Sequence, residues 1–259
     1  METRHNNSKA ARVMLILLSI ILIGPVVVIL SGDVNFGLNW RTADRSSTGI
    51  APDPAVVSEA VVQVYSARAF NWRGMFGIHT WIATKPEDAQ QYTVHQVVGW
   101  RSWRGLPVVM SEPDIPDRSW YGNKPEIILD LRGPVAAEAI EKILLAVKDY
   151  PYKQKYIMWP GPNSNTFTAF IGRHVPQLNL DLPSTAIGKD FLTDGEIFAN
   201  APSGTGFQFS LYGVLGILIG RVEGIEFNLF GLIFGVDPFG PALKLPGIGR
   251  VGFSLNKLS

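Results

Sequence analysis

The sequence contains no cysteine. That absence excludes disulfides, thiolate metal sites, a lipid-modified cysteine and a cysteine nucleophile together. Charge is also scarce: Asp, Glu, Lys and Arg make up 17% of the 259 residues, against roughly 25% in an average soluble domain, and the net charge is +1. A chain so nearly neutral has no electrostatic basis for binding nucleic acid, and that partner class is excluded. Asp181, Asp190, Asp194 and Glu196 share one loop, but their spacing matches no calcium loop and carboxylates in loops are usually solvated. The glycines lack the strand-turn-helix setting of a nucleotide-binding fingerprint, so neither a metal nor a cofactor is expected.

Apolar residues, in contrast, are 46% of the chain, ample for a core. They include the uncharged run Val13–Ser31, "VMLILLSIILIGPVVVILS". As a helix it would be about 28 Å long at ~1.5 Å per residue, one bilayer crossing. Gly24 and Pro25 in its middle would kink a soluble helix but are tolerated in membrane helices. A cleaved signal peptide is the alternative. The run exceeds the roughly 7–15 apolar residues of a signal core, and "VILSGD" lacks an A-x-A-like site, so an uncleaved anchor is expected. Arg4, Lys9 and Arg12 precede the run, whereas Arg41 and Arg45 after it are offset by Asp33 and Asp44. This bias predicts residues 1–12 in the cytoplasm, a transmembrane helix over 13–31, a polar linker over 32–54, and an extracytoplasmic domain over 55–259. The protein is thus expected in the inner (plasma) membrane as a single-pass protein, with the lipid bilayer as a partner.

Within that domain, "AVVSEAVVQVYSARAF" fits helical spacing and strand composition alike, and reads as a strand after a short helical start. "GIHTWIATK" and "YTVHQVVGW", separated by the polar "PEDAQQ", read as adjacent antiparallel strands. Period two places His79 with Trp81 and His95 with Val97, so the two histidines can share a face. "EIILDL" is a further strand. Gly133 and Pro134 then open a helix whose apolar stripe is Val135, Ala139, Ile140, Ile143, Leu144 and Val147. "KYIMW" is a strand candidate, and "TFTAFIGRHV" a helix with Phe167, Phe170, Ile171 and His174 on one face. From Gly204 onward lie 12 of the 26 glycines. There, apolar residues alternate with Gln208, Ser210, Glu226 and Asn228, which predicts a glycine-rich β-hairpin turning at "RVEG" rather than a second membrane span. The fold class is α+β with a mainly antiparallel sheet, and a soluble folded unit is expected from Ala55.

"WPGPNSNTF", Trp159 to Phe167, sits between the strand candidate and the helix. Asn163 or Ser164 is a good N-cap. A side chain there also lies among unpaired N–H groups, which favour negative charge on a nucleophile or a carbonyl oxygen. A serine at a helix start, a base on a strand and a polar orienter on the next strand form one workable layout for acyl transfer. Six of the seven tryptophans, Trp72, Trp81, Trp100, Trp103, Trp120 and Trp159, fall within residues 72–159, as core or as the lining of an acyl- or sugar-binding groove.

The order "IHTWIA", a second histidine strand, then "NSNTF" opening a helix resembles the permuted papain-like superfamily, which includes lecithin retinol acyltransferase and bacterial cell-wall amidases. The resemblance covers residues 77–174. It implies a papain-like domain with His79 as base, His95 as its orienting partner and Ser164 in the place of the family's nucleophilic cysteine. Trp81, Trp159, Asn163, Asn165 and Thr166 would then contact substrate. A serine cannot form the thiolate ion pair, so Ser164 would need concerted proton removal by His79. The whole chain, with its apolar N-terminal run and "WPGPNSNTF", also resembles the bacterial membrane-anchored domain-of-unknown-function family 3750, which implies an envelope location and names no reaction. Two functions are therefore expected: an envelope hydrolase or acyltransferase acting on an amide or ester, or a non-catalytic papain-like protein binding envelope peptide, lipid or glycan.

Overall fold

The ambiguous valine-rich segment forms strand β1 (Val61–Arg68) in the computed structural model, as its β-branched content favours. The expected helical start is a single turn, with the Val56 and Val57 amides bonded to the Asp53 carbonyl. The structure describes residues 12, 19, 22–32, 34, 36–37 and 39–252. Of the expected membrane span, residues 22–30 are helical, whereas 13–18, 20 and 21 lie outside the described residues. Among the described residues no helix is long and apolar enough to cross a membrane.

β1 lies between β2 (Ile78–Lys85) and β5 (Glu126–Arg132), and β3 (Thr93–Val97) and β4 (Val109–Pro113) extend the sheet beyond β2. The order is β4-β3-β2-β1-β5, antiparallel throughout; the two histidine segments are adjacent antiparallel strands and "EIILDL" lies in a strand, as expected. The long helix Gly133–Asp149 carries Pro134 in its first turn, where the missing N–H costs no hydrogen bond, and packs on β1 and β5. It buries the small residues Ala136, Ala139 and Ala146 with Ile140 and Ile143, while Val135 and Leu144, expected on the buried stripe, stand at its edges and are exposed. The second helix, Ser164–His174, lies on β2 and β3 and is buried from Ser164 through Gly172, so it is an interior helix. His174, expected on its apolar face, is exposed at its end and bonds the Phe170 carbonyl (2.9 Å).

One face of the sheet and the two helices share a core that includes Val62, Val64, Ile82, Ile143, Phe167 and Ile171. The other face presents Val61, Tyr65, Trp81, Ala83, Tyr92 and Val94. Part of the segment expected as a free linker packs here. Asp117 accepts hydrogen bonds from the Ser47 hydroxyl (2.7 Å) and the Ile50 amide (2.8 Å), and the Tyr92 hydroxyl donates to the Pro52 carbonyl (3.1 Å). "KYIMW" is not a strand: it runs into bends before Pro160 and Pro162, neither of which has an N–H to give a ladder.

The glycine-rich end is larger than a hairpin. Strands β6 (Phe198–Asn200), β7 (Gly206–Leu211), β8 (Leu215–Gly220), β9 (Gly224–Leu229), β10 (Leu232–Asp237), β11 (Ala242–Leu245) and β12 (Gly249–Gly252) form a seven-stranded antiparallel meander. The expected turn at "RVEG" joins β8 to β9, with Gly220 opposite Gly224. The alternation is present but inverted relative to an ordinary sheet. Gln208, Ser210, Glu226, Asn228 and Lys244 are buried, while Phe207, Phe227, Leu229 and Leu243 are exposed.

The reason lies in the preceding loop. Lys189 Nζ bonds Glu226 (2.5 Å) and Asp190 (3.2 Å), and Lys244 Nζ bonds the other Glu226 oxygen (2.6 Å) and Asp181 (3.0 Å). Asp190 also accepts from Gln208 (2.5 Å) and Asn228 (2.8 Å). Asp181 and Asp190, expected as solvated loop carboxylates, are thus partners of buried cations, whereas Asp194 and Glu196 are exposed as expected. Burial alone would lower the Lys189 pKa, but Asp190 and Glu226 outweigh it and hold it above the ordinary lysine value. The sheet's inner face is therefore a paired-charge contact with the body.

The N-terminal helical residues dock beside the β11–β12 turn. A Cβ on Gly24 would lie 1.8 Å from the Pro246 carbonyl oxygen, and one on Gly247 (φ +75°) would lie 2.9 Å from the Pro25 nitrogen. Only glycine at both positions allows this approach.

Candidate functional site

Asn163 caps the helix Ser164–His174. Its side-chain oxygen accepts from the Asn165 (2.9 Å) and Thr166 (3.1 Å) amides, and the Thr166 hydroxyl accepts from the Asn163 amide (3.1 Å), a reciprocal capping box. The Asn163 amide nitrogen donates to the Met158 (2.9 Å) and Ile187 (3.0 Å) carbonyls. Asn165 donates to the Ile78 and Ile187 carbonyls and accepts from the Thr80 hydroxyl (2.9 Å), and Thr166 donates to the Gly188 carbonyl (2.7 Å). Gly188, at φ +99°, is needed here: a Cβ would stand 2.2 Å from the Asn163 amide nitrogen. Asn163, Asn165 and Thr166, expected to contact substrate, direct these polar atoms at the protein itself, although Asn163 and Asn165 also border the cavity that Ser164 lines. They clasp two loops and β2 to the helix start.

Ser164 is left over. It is the first helical residue and is buried, and among the described residues its hydroxyl has no hydrogen-bond partner. It lines a cavity of about 930 Å³. Five of the six clustered tryptophans, Trp72, Trp100, Trp103, Trp120 and Trp159, also line this cavity. Trp81, expected to contact substrate, does not line it: its indole donates to the Pro116 carbonyl (2.7 Å) in the core of the opposite sheet face. The Trp159 indole donates to the Phe230 carbonyl (3.0 Å), tying the cavity wall to the β9–β10 turn. Phe70, Tyr121 and Tyr156 add to the lining, and among the described residues its charged members are Arg73 and Arg104, with no carboxylate. None of these five was singled out by the sequence, because loops from distant parts of the chain bring them together.

His79 also lines the cavity. Its ring stacks on Trp120, with centroids 3.6 Å apart and planes 10° from parallel, and its Nε2 is buried without a hydrogen-bond partner among the described residues. Burial lowers the His79 pKa to about 3, with Gln96 pulling weakly the other way. His95 does not join it. The register pairs Ile82 with His95, and Ile82 is an odd number of residues from His79, so the two histidines occupy opposite faces. His95 is held by Ser111 (2.7 Å) and Thr84 (3.0 Å), lies outside the cavity lining, and has its pKa lowered by burial to about 4. The expected meeting of His79, His95 and Ser164 is thereby corrected: His79 and Ser164 share a cavity, and His95 is a buried residue on the helix-covered face of the sheet, outside that cavity. Each strand's own period was readable, but the register across "PEDAQQ" was not.

Chemically, the site offers aromatic walls, two guanidinium groups, a free hydroxyl at a helix start and an imidazole that stays neutral at ordinary pH. Among the described residues no cluster of His, Asp or Glu is placed to hold a metal ion. The chain has no match among curated proteins or solved structures. Residues 59–191, which hold the five-stranded sheet, both helices and Ser164, match the family described as "Protein of unknown function (DUF3750)", and the chain belongs to that family.

Proposed function

We propose that the domain is a binding protein of the cell envelope, anchored to the inner membrane by its N-terminal apolar run, whose cavity takes a ligand with an apolar body and an anionic or polar end. The lining carries this reading: aromatic walls suit an acyl chain or ring, while Arg73, Arg104 and the Ser164 hydroxyl suit the polar end. A brominated fatty acid, whose bromines quench indole fluorescence on contact, is the test probe. Saturable quenching is expected, at least about tenfold weaker in Ser164→Phe, which fills the helix end of the cavity, because 1.4 kcal/mol is tenfold in affinity. Unsaturable quenching, unchanged by that substitution in a folded protein, would remove the proposal.

A second reading is acyl transfer on a papain-like α+β frame, favoured by Ser164 and His79 lining one cavity, with His79 Nε2 buried and unpartnered among the described residues. The serine oxygen would attack a carbonyl carbon while its proton passes to Nε2, and the tetrahedral adduct would break its C–N or C–O bond, the departing amine or alcohol taking that proton and the acyl group staying on the serine. Against it, the burial that lowers the His79 pKa also disfavours the imidazolium, and among the described residues no carboxylate lines the cavity to stabilise that cation. Labelling by a serine-directed acylating probe, lost in both Ser164→Ala and His79→Ala, would establish this chemistry. Absence of labelling in the wild-type protein is the result expected from the binding reading.

A further inference from the structure

We infer that the outer face of the seven-stranded sheet rests on a lipid bilayer, with its side chains inserted among the acyl chains. The cross-strand register aligns one row from β7 to β12: Phe207, Ile219, Ile225, Val236, Leu243 and Val251. Every member is apolar. Two parallel rows run beside it, Phe209, Ile217, Phe227 and Phe234 in one, Leu211, Leu215, Leu229 and Leu232 in the other. On edge strand β6 the first row ends at the exposed Asn200, opposite Phe207; inward of that edge every side chain named is apolar, a surface larger than monomeric soluble proteins expose.

The sheet cannot be turned over to hide this face, because its other side carries Glu226 and Lys244, paired with Asp181 and Lys189 of the body. Two observations select lipid over a second copy of the chain. First, the N-terminal helical residues dock at the β11–β12 turn through Gly24 and the proline and glycine of that turn, yet Leu22, Ile23, Val26, Val27 and Leu30 remain exposed around them. A helix apolar on most sides beside an apolar sheet makes one continuous surface, and the run Val13–Ser31 to which it belongs has the length of a bilayer crossing. Second, the edges of the sheet are short, three residues in β6 and four in β12, so few unpaired backbone groups would meet the membrane at shallow depth. Tyr212 and Phe230, exposed in turns at the same end as the docked helix, suit the headgroup boundary. The inference does not depend on what the cavity binds.

The absence of cysteine makes the test direct. Phe227→Cys, Leu243→Cys and, as a control on the long helix away from this face, Glu141→Cys are made in the full chain. Each is labelled with an environment-sensitive fluorophore and reconstituted with vesicles of phosphatidylethanolamine and phosphatidylglycerol, with or without acyl-chain spin labels. Blue-shifted emission at both sheet positions, quenched by acyl-chain spin labels severalfold more than at Glu141→Cys, is expected. Emission that stays unquenched at both positions in vesicle-bound protein overturns the inference, whether the face is wet or covered by another copy, since only lipid contact brings the quencher near. Both substitutions lie on the outward side and leave the paired charges in place.

Discussion

Stability is expected to fall by about 4 kcal/mol between pH 8 and pH 5, from two histidines alone, at about 1.4 kcal/mol per pKa unit for each. His79 and His95 are neutral in the folded protein, because burial lowers their pKa values to about 3 and about 4. In the unfolded chain each takes up a proton near pH 6.5. The unfolded state therefore binds more protons throughout the window from about 6.5 down to about 4, and stability is lost as pH falls through it. Protonation of the folded histidines themselves ends the effect only below that window. Urea midpoints measured across this range report it. His79→Phe should remove about half of the dependence and cost no more than about 1 kcal/mol at pH 8, since it keeps an aromatic ring against Trp120 and deletes the unpartnered Nε2 at the expense of the Gln96 interaction. A dependence in His79→Phe as steep as in the wild type would show that His79 is not buried in neutral form.

Glu226→Gln is expected to cost about 3–5 kcal/mol, because it removes the one charge that two buried lysines share. Lys189 and Lys244 each bond a different oxygen of this carboxylate, at 2.5 and 2.6 Å, and both ammonium groups are almost fully buried. Lys189 would keep Asp190 and Lys244 would keep Asp181, but the cluster would hold an extra positive charge in a medium that solvates it poorly. Asp194→Ala, in the same region but exposed, should stay within about 0.5 kcal/mol. Denaturant unfolding of the three proteins at pH 8 separates the cases. A loss below about 1 kcal/mol for Glu226→Gln would mean that water reaches the cluster.

These effects rest on features that the sequence discloses unevenly. The strands around His79 and His95, the helix after Pro134 and the helix after Asn163 follow from local composition, period and capping residues, which act over a few positions. The side of the sheet on which each histidine stands does not. It depends on register, and a slip of one residue exchanges the faces. Alternation in the last third of the chain is equally visible in the sequence, but not its sense: the assumption that apolar residues point inward fails because Lys189 and Asp190, from a loop outside the pattern, supply partners for the polar side. At the site, Asn163 is legible as a cap, and Ser164 emerges only once Asn163, Asn165 and Thr166 are seen to be engaged. The tryptophans announce an aromatic cluster, and the loops that turn five of them toward one cavity carry no periodic signal.

The inverted sheet also bears on the order in which the protein folds. Each strand of the meander pairs with its neighbour in sequence, so its contacts are local and quick to form, whereas β1 must await β5, with Val61 opposite Arg132. Speed alone gives the meander nothing to settle on, since one side is charged and the other oily. During synthesis the body, including Lys189 and Asp190, leaves the ribosome before the strands that need them. The waiting charges then act as a register check: a strand that arrives one residue out of step presents its apolar row to Lys189, Asp190 and Asp181 and is rejected.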